Sequence, residues 1–108
     1  MTKVRIVRGT TNVLADLGFP DAEEIAAKVF LAIQINKAVD ARKLKQSAAG
    51  KVLGLPQSKV SLIRNYKIDG FSLEKLMGLL NALNRDIEIV VRSKPAVRRR
   101  GRITLKAA

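Results

Sequence analysis

Two short helix-forming stretches joined at a glycine constrain this chain more than any other feature. Gln46–Ser47–Ala48–Ala49–Gly50–Lys51–Val52–Leu53 runs into Gly54–Leu55–Pro56, and Gln57–Ser58–Lys59–Val60–Ser61–Leu62–Ile63–Arg64–Asn65 follows. Gly54 ends the first helix in a backbone conformation that other residues resist. Pro56 stands at or just before the first turn of the second, where a missing N–H costs little. Two helices so joined cross closely at a wide angle, and that crossing needs small residues where they meet. Ala49 and Gly50 supply them, and Gly within a helix is otherwise unfavourable by about 1 kcal/mol relative to Ala. The spacing predicts a packing face of Ala49, Val52, Leu53, Leu55, Val60 and Ile63. It leaves Gln57, Ser58, Ser61 and Arg64 outward on the second helix, with Lys59 at its side. Such side chains suit groove recognition: Gln pairs with adenine, Arg with guanine, and Ser and Lys with phosphates or base edges. The segment at about 46–65 therefore reads as a helix-turn-helix.

Charge points to the same partner class. Twenty-one Lys and Arg against nine acids leave a formal net charge of +12. From Arg42 to Lys67 there are seven basic residues (Arg42, Lys43, Lys45, Lys51, Lys59, Arg64, Lys67) and no acid. From Ser93 onward there are six more (Lys94, Arg98, Arg99, Arg100, Arg102, Lys106), again with no acid. A charge run is usually a solvated face, but two separate acid-free runs imply a polyanion partner. Three Phe and one Tyr are too few for the aromatic platforms that stack single strands.

Other classes are excluded by what is missing. The chain has no Cys, His or Trp, so disulfides, Cys/His zinc sites and catalysis on His or Cys are out. No nucleophile–base pair or metal-ligand cluster is visible, so neither an enzyme nor a cofactor is expected. Asp21, Glu23 and Glu24 suit a helix start better than a catalytic site. A length of 108 residues supports one domain, and a hydrophobic fraction of 47% supports a core. The basic N-terminus lacks the apolar run of a secretory signal, and no stretch approaches a membrane span. A soluble cytoplasmic protein is expected.

Around the motif, Lys3–Arg8 partly alternates and could form a short strand, and Thr11 could cap a helix over Asn12–Leu17. Asp21 with Glu24 resembles a capping box opening a helix that runs to about Ala41. Its expected stripe is Ile25, Val29, Ala32 and Ile33, widened by Leu31, Ile35, Ala38 and Val39. Ser72 can cap a helix carrying Leu73, Leu76, Met77, Leu79, Leu80 and Leu83. Ile87, Ile89 and Val91 then alternate as a strand, and Arg102–Lys106 alternates again. The two could pair as a hairpin, or one could pair with a second chain. Residues 1–92 read as the binding domain with an N-terminal extension and 93–108 as a basic tail. The tail's arginines are either a DNA-contacting arm or a solubilising linker.

Gln46, Ala49, Leu53–Gly54–Leu55, Gln57, Val60–Ser61 and Ile63 resemble the helix-turn-helix of Xre-type, lambda-repressor-like regulators. Asn12 to Glu24, then Lys28, Phe71–Ser72 and Leu76, resemble the HigA-type antitoxin branch, so the resemblance covers about residues 12–92. It implies a mainly α fold: a five-helix bundle with a helix-turn-helix, plus a short C-terminal strand or two. It implies a homodimer on an inverted-repeat operator in double-stranded DNA of the bacterial nucleoid. The function implied is a transcriptional regulator, an autorepressor and the antitoxin partner of a ribonuclease-type toxin. A solitary regulator or a non-specific nucleic-acid binder are the alternatives. Carried over, Gln46 contacts a phosphate or braces the second helix, and Gln57, Ser58, Lys59, Ser61 and Arg64 face the major groove. Lys45 stands where the pattern has a capping Thr and cannot cap, although it could reach a phosphate, as could Lys67. Leu62 replaces a commonly polar residue and either packs or meets a thymine methyl.

Overall fold

The computed structural model describes residues 2–3, 22–97 and 100–108. The expected helix over 12–17, the rest of the expected strand at 3–8, and Asp21 lie outside the described residues. The elements in chain order are β1 (Thr2–Lys3), α1 (Ala22–Ala41), α2 (Gln46–Leu53), α3 (Gln57–Arg64), α4 (Leu73–Ala82) and β2 (Ile87–Glu88). Four helices are thus present among the described residues.

α1 is the spine. Glu23 and Glu24 occupy its first turn, favourable to the positive end of the helix dipole. Glu24 also pairs with Lys28 one turn on, at 3.8 Å. α1 packs on α4 along its length and reaches α3, while α2 packs on α3 and touches α4. The core is built from Ala27, Leu31, Ala32, Ile35, Ala38 and Val39 of α1 with Val60, Ile63, Leu76, Leu79, Leu80 and Leu83. The expected stripe through Ile25 and Val29 needs correction: both are exposed, at 59% and 36%. α1 is apolar nearly all round, so bulk alone does not mark its inner face. The inward side is the one with alanines, which let α4 approach.

The helix ends explain how short elements stay ordered. At the end of α1, Leu44 N–H donates to Val39 O (3.1 Å) and Lys43 N–H to Asp40 O (3.0 Å). At the end of α3, Lys67 N–H donates to Leu62 O (2.8 Å) and Tyr66 N–H to Ile63 O (3.1 Å). At the end of α4, Arg85 N–H donates to Leu80 O and Asn84 N–H to Asn81 O, both 3.0 Å. These paired bonds are the Schellman closure, which satisfies carbonyls the helix leaves free. It puts Lys43, Tyr66 and Asn84 at φ of 53°, 58° and 62°, where glycine is the usual occupant. Ser72 caps α4 as expected, its hydroxyl accepting from Lys75 N–H at 3.0 Å.

The strands depart from expectation. Only Ile87–Glu88 of the 87–91 alternation is a strand, and it pairs in parallel with Thr2–Lys3 rather than with 102–106. Residues 102–106 form no strand; Leu105 makes a single bridge. That segment instead docks on the start of α1. Glu23 accepts from Arg100 Nη2 and from Ile103 N–H, each at 2.9 Å, and Leu105 is buried with the core. No helix among the described residues is long and apolar enough to cross a membrane.

Candidate nucleic-acid interface

The site is built by the α2–α3 crossing. A Cβ placed on Gly50 would stand 2.7 Å from Leu55 O, a backbone atom that cannot swing aside, and 3.6 Å from Val60 Cγ2. Leu55 N–H donates to Gly50 O at 2.9 Å, closing the turn through Gly54 at φ 68°. Ala49, Leu53, Val60 and Ile63 are buried, and Val52 and Leu55 are half-buried against the core. The packing face read from the spacing is thus the one observed.

A polar brace then fixes where α3 points. Asn36 is the one buried polar residue among the described residues, and it sits on α1 facing the end of α3. Its Nδ2 donates to Ile63 O at 3.1 Å. Its Oδ1 and its backbone O each accept from Arg64 Nη1 at 3.2 Å, while Arg64 Nη2 donates to Asp40 Oδ1 at 2.7 Å. The Arg64 side chain keeps 30% of its surface exposed and is turned back onto α1. Sequence spacing put Arg64 outward. What it did not reveal is that the guanidinium fork is occupied by two residues 24 and 28 positions away. The one signal available was Asn36 itself, an amide on the face that carries Leu31, Ala32, Ile35, Ala38 and Val39.

The remaining outward residues of α3 separate by exposure. Gln57, Ser58 and Lys59 are exposed, while Ser61 and Leu62 are half-buried. Leu62 packs against the core. Lys59 Nζ lies 6.0 Å from the ring centroid of Phe71, a contact at the outer limit of cation–π attraction and one the sequence did not suggest. Asn65 Nδ2 donates to Ser61 O at 2.8 Å and to Ser61 Oγ at 3.4 Å. The Ser61 hydroxyl is used there as an acceptor, so its proton can be directed outward.

Both motif helices start without a side-chain cap. Lys45 and Pro56 hold the cap positions in extended backbone, neither side chain accepts a hydrogen bond, and neither first turn carries an acid. Free first-turn N–H groups and the positive dipole end make each start receptive to an anion. Lys45 is exposed at the start of α2, Gln46 is half-buried beside it, and Lys67 is exposed beyond α3. Of the seven basic residues from 42 to 67, all but Arg64 are exposed. Six exposed cations thus accompany a polar, hydrogen-bonding helix, and the one exposed acid that reaches it, Asp40, is bonded to Arg64.

This fold and this crossing define a helix-turn-helix protein. Residues 13–92 match the family of helix-turn-helix domains. A solved structure named as an XRE family transcriptional regulator is 53% identical, with a TM-score of 0.78 over 82% of this chain and 100% of that one. The chain belongs to the helix-turn-helix domain family and is of Xre type. No curated protein matches it.

Proposed function

We propose that this chain is a sequence-specific, double-stranded-DNA-binding transcriptional regulator that acts as a homodimer on an inverted-repeat operator. The observation that carries this reading is the exposed run Gln57–Ser58–Lys59 at the uncapped start of α3, on a helix seated against α2 by the Gly50 approach. Gln57, Ser58 and Ser61 read base edges. Lys45, Gln46, Lys59 and Lys67 hold phosphates, releasing counterions as they do so. Arg64 serves the same face by holding α3 to Asn36 and Asp40. A two-fold dimer sets two recognition helices about 34–36 Å apart, one turn of DNA. Residues 1–92 form the binding unit, and 93–108 form a basic tail anchored on it through Glu23 and Leu105.

The finer reading is an autorepressor and HigA-type antitoxin with a ribonuclease-type toxin as partner. Its support is the sequence resemblance over residues 12–24, Lys28, Phe71–Ser72 and Leu76.

Selection of binding sites from random duplex DNA tests the first reading, with a two-fold-symmetric consensus as the expected result. Binding with no enriched sequence would overturn it in favour of non-specific coating. Co-expression with the product of the adjacent gene tests the second. Copurification and relief of growth arrest are expected; an inert neighbour leaves a solitary regulator.

A further inference from the structure

Beyond β2 the chain continues as Ile89–Val90–Val91–Arg92, and these residues make no strand pairing among the described residues. Ile89, Val90 and Val91 are 69%, 40% and 91% exposed. The sequence alternation begun in β2 carries through them. As a strand, this segment would set Ile89 and Val91 on the side of Ile87, which packs against the core, and Val90 and Arg92 on the side of Glu88. Bare apolar residues on an unpaired edge invite another strand.

We infer that the covering strand is the same segment of a second copy, paired antiparallel about a two-fold axis at Val90. The argument is self-complementarity. In this register Glu88 falls opposite Arg92 of the second copy, and Ile89 opposite Val91. Val90 meets Val90. Glu88 meets a base and each exposed aliphatic meets another, the pairings that stabilise antiparallel strands. Centring the axis one residue earlier, on Ile89, sets Glu88 against Val90 instead. Because β1 pairs with β2 in a two-stranded sheet, two copies joined this way build one four-stranded sheet in the order β1–β2–β2–β1. The two-fold axis is the symmetry that an inverted-repeat operator requires. This inference rests on the homodimer reading above and adds its interface and register.

The chain has no cysteine, so single cysteines report the register in the full-length protein. Residues directly opposed in an antiparallel pair have Cα atoms about 4.5–5.5 Å apart, within disulfide reach. Residues two steps out of register stand about 8 Å apart, beyond it. Under mild oxidation Val90→Cys is expected to give a covalent dimer, and Ile89→Cys and Val91→Cys are not. Glu88→Arg and Arg92→Glu should each weaken dimerisation about tenfold in sedimentation, and the double exchange should restore it. Preferential crosslinking at Ile89→Cys, or an unrestored double exchange, overturns the register. A wild-type dimer indifferent to all of these substitutions places the interface elsewhere while the homodimer stands. A wild-type monomer that remains monomeric on DNA removes both.

Discussion

Arg64 Nη2 donates to Asp40 Oδ1 at 2.7 Å, so the cation best suited to reading guanine is bonded to the spine helix. Its other nitrogen reaches both oxygens of Asn36, which itself caps Ile63 O. A guanidinium so placed orients α3. Arg64→Ala is expected to lower stability by about 1–2 kcal/mol, toward the lower end of charge-assisted bonds because Asp40 is largely exposed. Affinity should fall evenly across operator variants, with the selected consensus unchanged. Urea denaturation and a binding-site selection check the two halves. Relaxed preference at a single base position would show instead that Arg64 leaves Asp40 to read DNA.

The crossing of the motif depends on one hydrogen atom. Gly50→Ala would set a methyl 2.7 Å from Leu55 O. Overpacking costs roughly 1–3 kcal/mol, and the better helix propensity of Ala returns about 1. A net loss of up to about 2 kcal/mol is expected, with DNA affinity falling further as α3 is displaced. Comparing Gly50→Ala with Ser47→Ala, an exposed position of α2, separates propensity from contact. Equal stability in the two variants would mean that the Gly54 turn yields without cost.

What the sequence disclosed follows physical lines. α2, α3 and their packing face were legible because Gly54 and Pro56 punctuate the chain and the apolar spacing between them is helical. On α1 the inner face is as expected at Leu31, Ala32, Ile35, Ala38 and Val39, but its first turns differ, because Ile25 and Val29 outweigh Ala22 and Ala27 in bulk while close packing favours the small residues. The Arg64 brace was invisible because it joins residues 24 and 28 positions apart, and spacing carries no such pairing. The alternation at 87–91 was real, but a period of two says that a strand is possible and not which strand pairs with it. Ile87 in fact meets Thr2.

Lys43 shows a different blind spot, since nothing in a lysine announces φ of 53°. A left-handed backbone costs an L-residue roughly 1–2 kcal/mol, and Lys recovers part of that beside the negative end of α1. Lys43→Gly is expected to gain about 0.5 kcal/mol, roughly 2–4 °C in Tm. Lys43→Val, β-branched at the same φ, should lose stability. Thermal denaturation of the pair checks the sign. A loss on Lys43→Gly would mean that the lysine's interaction with the helix end outweighs its strain.

Positioning and reading contacts separate by salt and by sequence. Lys45→Ala should weaken binding to all duplexes alike and reduce the slope of log affinity against log salt by about 1. Gln57→Ala should leave that slope unchanged, cost about 1–3 kcal/mol on the preferred operator, and relax one position in each half-site. Titrations at several salt concentrations on matched and mismatched duplexes measure both. Were Gln57→Ala to weaken every duplex equally, Gln57 would be a backbone contact and base reading would fall to Ser58 and Ser61.

Glu23 turns a helix-start acid into an anchor for the basic tail. Its carboxylate accepts from Arg100 and Ile103 N–H, its side chain is only 12% exposed, and Leu105 is buried two residues further on. Local segments open with free energies set by such contacts, and opening exposes them to proteases. Glu23→Ala is expected to speed trypsin cleavage after Arg100 and Arg102 about tenfold, the loss of roughly 1.4 kcal/mol of local closure. The added cleavage should stay limited to the tail, because α1 to α4 pack directly on one another and Leu105 is the tail's one residue in the core. Mass spectrometry of the early fragments reads the outcome. Unchanged cleavage would assign the anchoring to Leu105, and Leu105→Ser would then have to release the tail. If DNA affinity rises in Glu23→Ala, the freed Arg100 reaches a phosphate that Glu23 had kept it from.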